Sequence, residues 1–221
     1  MSDDTGDLET RLGKLRGQIR AAAALSDQTE RLLEVAAIVA EALSDVAEPV
    51  VVGGLALAYW SDSAFRTGDI DVVVPRPPEF QERLASLGFE QAGREWILSG
   101  HDIIFEAPGA ALEPGDEAEA VELPSGRRVL VLSPEDLLLW RLREWIHWQS
   151  VSGFEQAAYL FASEPVDRRR LDRRALQEGL TPALAALRQA IAEIEAGRTF
   201  DTWDLIELAK SIASGRYPEG E

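Results

Sequence analysis

The chain has 221 residues and no cysteine, which excludes disulfide, zinc-thiolate and thiol chemistry. Its formal net charge is −17, from 39 Asp plus Glu against 22 Lys plus Arg. Such a surface repels polyanions and argues against long duplex DNA as a substrate. Hydrophobic residues make up 46%, enough for a folded core. The apolar stretches are short and broken by charge, so no membrane partner is expected. The acidic start Met1-Ser2-Asp3-Asp4 stands where a secretory leader is basic, so the expected location is cytoplasmic.

In chain order, residues 6 to 25 are Ala-rich with mixed charge and predict a first helix. Asp27 followed by Glu30 has the form of a helix start, and Leu33, Ala36, Ala37, Ala40 and Leu43 follow at helical spacing. Pro49 to Val52 predicts a short buried strand ending at Gly53-Gly54, with a helix start over Leu55 to Trp60. Asp69 to Val74 predicts a second strand, stopped by Pro75, Pro77 and Pro78 before a helix over Glu79 to Leu87.

Three short strands are expected near 89–92, 94–99 and 101–106. The acid-, Ala-, Gly- and Pro-rich run 107–120 predicts a loop, and residues 121–123 and 127–132 a hairpin around Pro124-Ser125-Gly126. From Ser133 the pattern is helical. Ser133-Pro134-Glu135-Asp136 is an N-cap, a first-position Pro and two first-turn acids. Thr181-Pro182 repeats the signature ahead of the stripe Leu184, Leu187, Ile191 and Ile194, and Leu205, Ile206, Ala209 and Ile212 mark a last helix.

Asp69 and Asp71 carry the chemistry. Two apart in a strand, they share a face, while Ile70, Val72 and Val74 take the other. Two adjacent carboxylates repel each other and are best tolerated with a cation between them; hard oxygen ligands suit Mg2+ or Mn2+. An isolated Asp-x-Asp is more often a solvated sheet face. Gly53 and Gly54 add a turn whose backbone can approach a ligand closely and a helix N-terminus that can meet phosphate. Arg66 and Thr67 add a guanidinium that can clamp phosphate and a hydroxyl that can orient an acid.

The stretch Val50-Val51-Val52-Gly53-Gly54-Leu55-Ala56-Leu57-Ala58-Tyr59-Trp60, followed by Arg66-Thr67-Gly68-Asp69-Ile70-Asp71-Val72-Val73-Val74, resembles the signature of the polymerase-β nucleotidyltransferase superfamily. The Arg-Thr-x-Asp-x-Asp form looks like the branch containing abortive-infection toxin nucleotidyltransferases, and CCA-adding enzymes share part of it. The match covers residues 50 to 74, with weaker similarity to about residue 162.

The resemblance implies an α+β fold: a polymerase-β-like nucleotidyltransferase mixed sheet flanked by helices, with a C-terminal helical region. The expected parts are N-terminal helices over 1–46, a nucleotidyltransferase core over 47–132 and helices over 133–221. It implies an enzyme using Mg2+ or Mn2+ to transfer a nucleoside monophosphate from a nucleoside triphosphate (NTP) such as ATP to an acceptor hydroxyl on tRNA, protein or a small molecule. A toxin role would bring an antitoxin protein as partner.

The resemblance also implies a third carboxylate on a later strand. Asp102 is the first choice and Glu106, of the same parity, the alternative. The catalytic and metal-binding set is then Asp69, Asp71 and Asp102, with Gly53, Gly54, Arg66, Thr67 and Arg141 against the nucleotide. Arg141 stands where the family carries a Lys, on the face of Leu137, Leu138 and Trp145. The basic and acidic pair that many relatives carry further on is replaced by Ile146-His147-Trp148-Gln149-Ser150. That departure leaves a second reading, a catalytically inactive relative that binds nucleotide or a partner.

Two further features have plainer explanations. Trp140, Trp145 and Trp148 are expected to pack against the sheet, although a purine could stack on one of them. Arg168, Arg169, Arg170, Arg173 and Arg174, tempered by Asp167 and Asp172, are expected to form a solvated helix face; the sharper alternative is a docking patch for RNA or an acidic protein.

Overall fold

The structure, a computed structural model, describes residues 2–162 and 166–217, so residues 163–165 and 218–221 of the expected C-terminal helical region lie outside the described residues. The chain divides into two compact units, Met1–Leu132 and Ser133–Glu221.

The N-terminal unit is built on a seven-stranded mixed sheet flanked by helices. In chain order it holds α1 (Ser2–Ala22), α2 (Gln28–Leu43), β1 (Val50–Val51), α3 (Gly53–Trp60), β2 (Asp69–Val73), α4 (Glu79–Leu87), β3 (Phe89–Ala92), β4 (Glu95–Leu98), β5 (Ile103–Gly109), β6 (Ala118–Glu122) and β7 (Arg128–Leu132). The strand order is β3-β4-β5-β2-β1-β7-β6. β2 runs antiparallel to β1 and parallel to β5, and β1 runs parallel to β7.

Strand β2 sits at the centre because one of its faces is fully apolar. Ile70 and Val72 are buried, as are Leu32, Val35, Ile38 and Val39 of α2, which packs on β2 and β7. A one-residue slip of β2 would expose both apolar side chains and bury two charges. Each exposed apolar side chain would cost roughly 1.5–3 kcal/mol, and each unpaired buried charge more. The register that turns Asp69 and Asp71 away from the helices is therefore strongly enforced.

Helix α2 starts at Asp27, whose side chain accepts from Glu30 N. At its far end Asp45 accepts from Arg83 of α4 at 2.7 Å and from Arg11 of α1 at 3.0 Å, which ties three helices together. The Arg83 guanidinium holds the Asp45 carboxyl well below the usual carboxylate range.

Two expectations change here. The stretch 107–120 is not all loop: β5 runs on to Gly109 and β6 begins at Ala118, leaving 110–117 as the connection. The Pro and Gly content of 107–109 hid a strand that pairs with β2 through Gly109. Gly53 and Gly54 do not precede α3 but form its first turn.

The C-terminal unit is helical: α5 (Pro134–Trp148), α6 (Val151–Ala162), α7 (Arg168–Gln177), α8 (Thr181–Glu195) and α9 (Thr202–Ala213). Trp145 is fully buried, packs on Phe154 of α6 and donates its indole N–H to Leu205 O at 3.0 Å. Trp148, one turn on, is 73% exposed, so the tryptophans do not act as one packing group. Ile194, expected in the apolar stripe of α8, is exposed, because the buried stripe ends at Ala190.

The arginine run of α7 is not a plain solvated face: Arg168, Arg169 and Arg173 are exposed, but the other two are not. Asp167 caps the helix, and Arg170 and Arg174 turn inward. Arg170 donates to Ser133 Oγ and Glu135 Oε2, both at 2.8 Å, and also to Asp136. Arg174 donates through Nε to Asp136 Oδ1 at 2.9 Å.

Candidate active site

Asp69 and Asp71 project from one face of β2 and are half-buried. In the parallel pairing with β5, Asp71 lies level with Glu106 and Asp69 level with Ile104. In the antiparallel pairing of β4 with β5, Glu106 lies level with Glu95. Paired residues share a sheet face about 4.5–5.5 Å apart. Glu95, Glu106 and Asp71 therefore stand side by side across three strands, with Asp69 two residues along from Asp71.

Four carboxylates on one face is an unfavourable arrangement unless something positive meets them. Among the described residues, Asp69, Glu95 and Glu106 make no ion pair. All four offer carboxylate oxygen, the donor type that magnesium and manganese take, although no three of them bring their oxygens all within 4.8 Å of one another.

The two choices for the third carboxylate separate in the structure. Asp102 is exposed and lies in the turn before β5, with a left-handed backbone at φ 49°. It precedes the first paired residue of β5 and has no counterpart on β2. Glu106 is half-buried, inside the strand and opposite Asp71. The register therefore favours Glu106. Strand parity could not separate the two, because both residues are even steps from Ile104.

The glycine turn meets the acids directly. Gly53 adopts φ 61°, and a Cβ added there would fall 2.5 Å from Asp71 Oδ2. A Cβ on Gly54 would fall 2.7 Å from Thr67 Oγ1 and 2.9 Å from Thr67 Cβ. Only glycine fits either position, so the start of α3 lies against both Asp71 and Thr67. The N-cap residue, Val52, has no side-chain acceptor, and no side chain of its own caps the first N–H groups of α3. Val52 N donates to Asp71 O at 2.9 Å and fixes the helix start to the acidic strand.

Thr67 donates its hydroxyl to Asp69 Oδ1. Its own carbonyl accepts from Gln28 Nε2 at 2.7 Å, and Thr29 and Ser63 hydroxyls lie 2.8 Å apart. The first turn of α2 thus braces the loop that presents the acids. Arg66 is exposed beside them. Gln28 and Glu95 escaped the sequence reading. Glu95 sits in an ordinary strand alternation, and only the β4–β5 register aligns it with Glu106. Gln28 is far away in the chain.

Arg141 belongs to the C-terminal unit. It is half-buried beside the fully buried Leu137, Leu138 and Trp145 and donates to Glu144 at 2.7 Å on its own helix.

No family model matches the chain, and no curated protein matches it. The chain is similar in structure to an antigenic nucleotidyltransferase-like protein from Paracoccidioides brasiliensis, with a TM-score of 0.53 and 18% identity over 77% of this chain and 92% of that one. The fold is nucleotidyltransferase-like. Among the described residues no helix is long and apolar enough to cross a membrane.

Proposed function

We propose that the protein is a nucleotidyltransferase that moves a nucleoside monophosphate from a nucleoside triphosphate to an acceptor hydroxyl. The carrying observation is the row of carboxylates on one sheet face with the uncapped start of α3 against Asp71. In this reading Asp69, Asp71 and Glu106 hold magnesium or manganese. When bound, such an ion neutralises the triphosphate and makes the acceptor hydroxyl easier to deprotonate.

The protein's own groups do the rest. Gly53 and Gly54 present backbone N–H groups to the β- and γ-phosphates, as helix starts do for anions. Arg66 supplies a guanidinium to the same phosphates. Thr67 is a positioning residue, holding Asp69 by a hydrogen bond. The acceptor oxygen forms a bond to the α-phosphorus, the bond to the β-phosphate bridging oxygen breaks, and pyrophosphate leaves. The acceptor proton passes to a carboxylate of the row. Positioning and charge neutralisation supply most of the acceleration in such chemistry.

A tRNA, a protein or a small molecule is the proposed acceptor class. A cytoplasmic toxin with an antitoxin partner is the proposed setting, resting on the Arg66-Thr67-Gly68-Asp69-Ile70-Asp71 resemblance. The test is incubation with each labelled triphosphate, magnesium and cell extract. Wild-type protein labels an acceptor and releases pyrophosphate, while Asp69→Asn and Asp71→Asn do not. Equal labelling by the variants overturns the proposal. The pairing of Arg141 with Glu144 favours a second reading, a catalytically inactive nucleotide- or partner-binding module, which predicts triphosphate binding without pyrophosphate release.

A further inference from the structure

A cavity of about 340 Å3 opens on the other face of the same sheet. Strand pairing explains its position. Gln91, Trp96 and Phe105 lie level across β3, β4 and β5, on the face opposite Glu95 and Glu106. Two residues along from Trp96, Arg94 stands on that same face at the tip of a two-residue hairpin, where Gly93 takes φ 67°. Phe80 of α4 packs edge-on against Trp96 with ring centroids 6.4 Å apart. The stiff Pro75–Pro78 segment brings Arg76 and Gln81 to the rim.

The lining is chemically one-sided. None of the residues around the cavity is acidic, in a chain with 39 acidic residues. Arg76 and Arg94 are exposed, and neither makes an ion pair among the described residues. Trp96 is only 6% exposed, yet among the described residues no acceptor takes its indole N–H. That N–H reaches solvent, so an acceptor on a ligand can meet it. Two free guanidiniums, side-chain amides and an accessible indole N–H make a set of donors that is complementary to an anion and matches the fork geometry of phosphate.

We propose that this cavity binds a phosphate ester, with Arg76 and Arg94 clamping its oxygens and the Trp96 indole N–H donating to it. The site lies on the sheet face opposite Asp71 and Glu106, and it stands or falls independently of the transferase reading. Its phosphate could come from a free nucleotide or from the backbone of a single RNA strand, which present the same oxygens.

The test follows the six indole N–H resonances of the 15N-labelled protein in EDTA, with the Trp96 peak assigned by its loss in Trp96→Phe. Inorganic phosphate, AMP and a short single-stranded oligoribonucleotide are titrated separately. The expected result is a saturable shift of the Trp96 resonance, with affinity about tenfold weaker in Arg76→Ala and in Arg94→Ala. The more tightly bound probe then identifies the source: AMP a free nucleotide, the oligomer a strand. A Trp96 resonance unmoved by all three probes overturns the proposal. So does a shift that persists at wild-type affinity in both arginine variants, whose unchanged spectra elsewhere would show that they are folded.

Discussion

Asp136 in the C-terminal unit is fully buried, accepts from Arg174 at 2.9 Å and from Ser133 at 2.7 Å, and meets Arg170 as well. Asp69 in the N-terminal unit is half-buried and accepts from the neutral hydroxyl of Thr67, while Glu106 stands between Glu95 and Asp71 with no cationic side chain. The first carboxylate has its charge cancelled within the fold. The second group accumulates charge of one sign on an accessible face. A buried carboxylate must be paired to be tolerated at all, whereas an accessible row of acids bears only a mutual repulsion that a cation would relieve. The location of uncancelled charge is thus a better guide to chemistry than the number of acids, of which this chain has 39.

The sharpest way to break this contrast is Asp136→Ala. It leaves Arg170 and Arg174 facing each other in a buried setting, and the expected loss is about 3–5 kcal/mol, measured by chemical denaturation. A loss near zero would mean that the network contributes nothing to the C-terminal unit. Next is Asp71→Asn, expected to retain the wild-type circular dichroism spectrum but to lower nucleotide transfer by about 10²–10³-fold. If Asp71→Asn unfolds the protein instead, the acid is structural in the way Asp136 is.

Gly53→Ala comes third. Its methyl group meets Asp71 Oδ2 and must also sit at φ 61°, so a destabilisation of about 1–3 kcal/mol is expected in thermal melts. The smallest effect has the opposite sign. Glu106→Gln relieves repulsion from both neighbours and should raise stability without metal by up to about 1 kcal/mol, while removing most of the stabilisation that added magnesium gives wild type. Asp102→Asn, in its exposed turn, should leave the magnesium effect in place; equal loss in both variants would restore Asp102 as a ligand.

Much of the N-terminal unit could be read from local chemistry. The alternation of Asp69, Ile70, Asp71 and Val72 set the two faces of β2, because a strand places successive side chains on opposite sides. Gly53-Gly54 and Ser133-Pro134-Glu135-Asp136 marked helix starts within a residue or two, since caps and turns are decided by a few adjacent groups. What stayed hidden depended on partners far away in sequence. Strand parity allowed both Asp102 and Glu106, and only the parallel register of β2 with β5 set Glu106 opposite Asp71. Glu95 joined the acidic row through a second register, and Gln28 reached Thr67 from 39 residues away. Arg170 and Arg174 looked like surface charge until α7 turned them onto Asp136. Local propensity and periodicity act over a few residues and are written into the chain. Which charges meet is settled by strand register and helix packing, because only the assembled core brings distant groups within hydrogen-bonding distance.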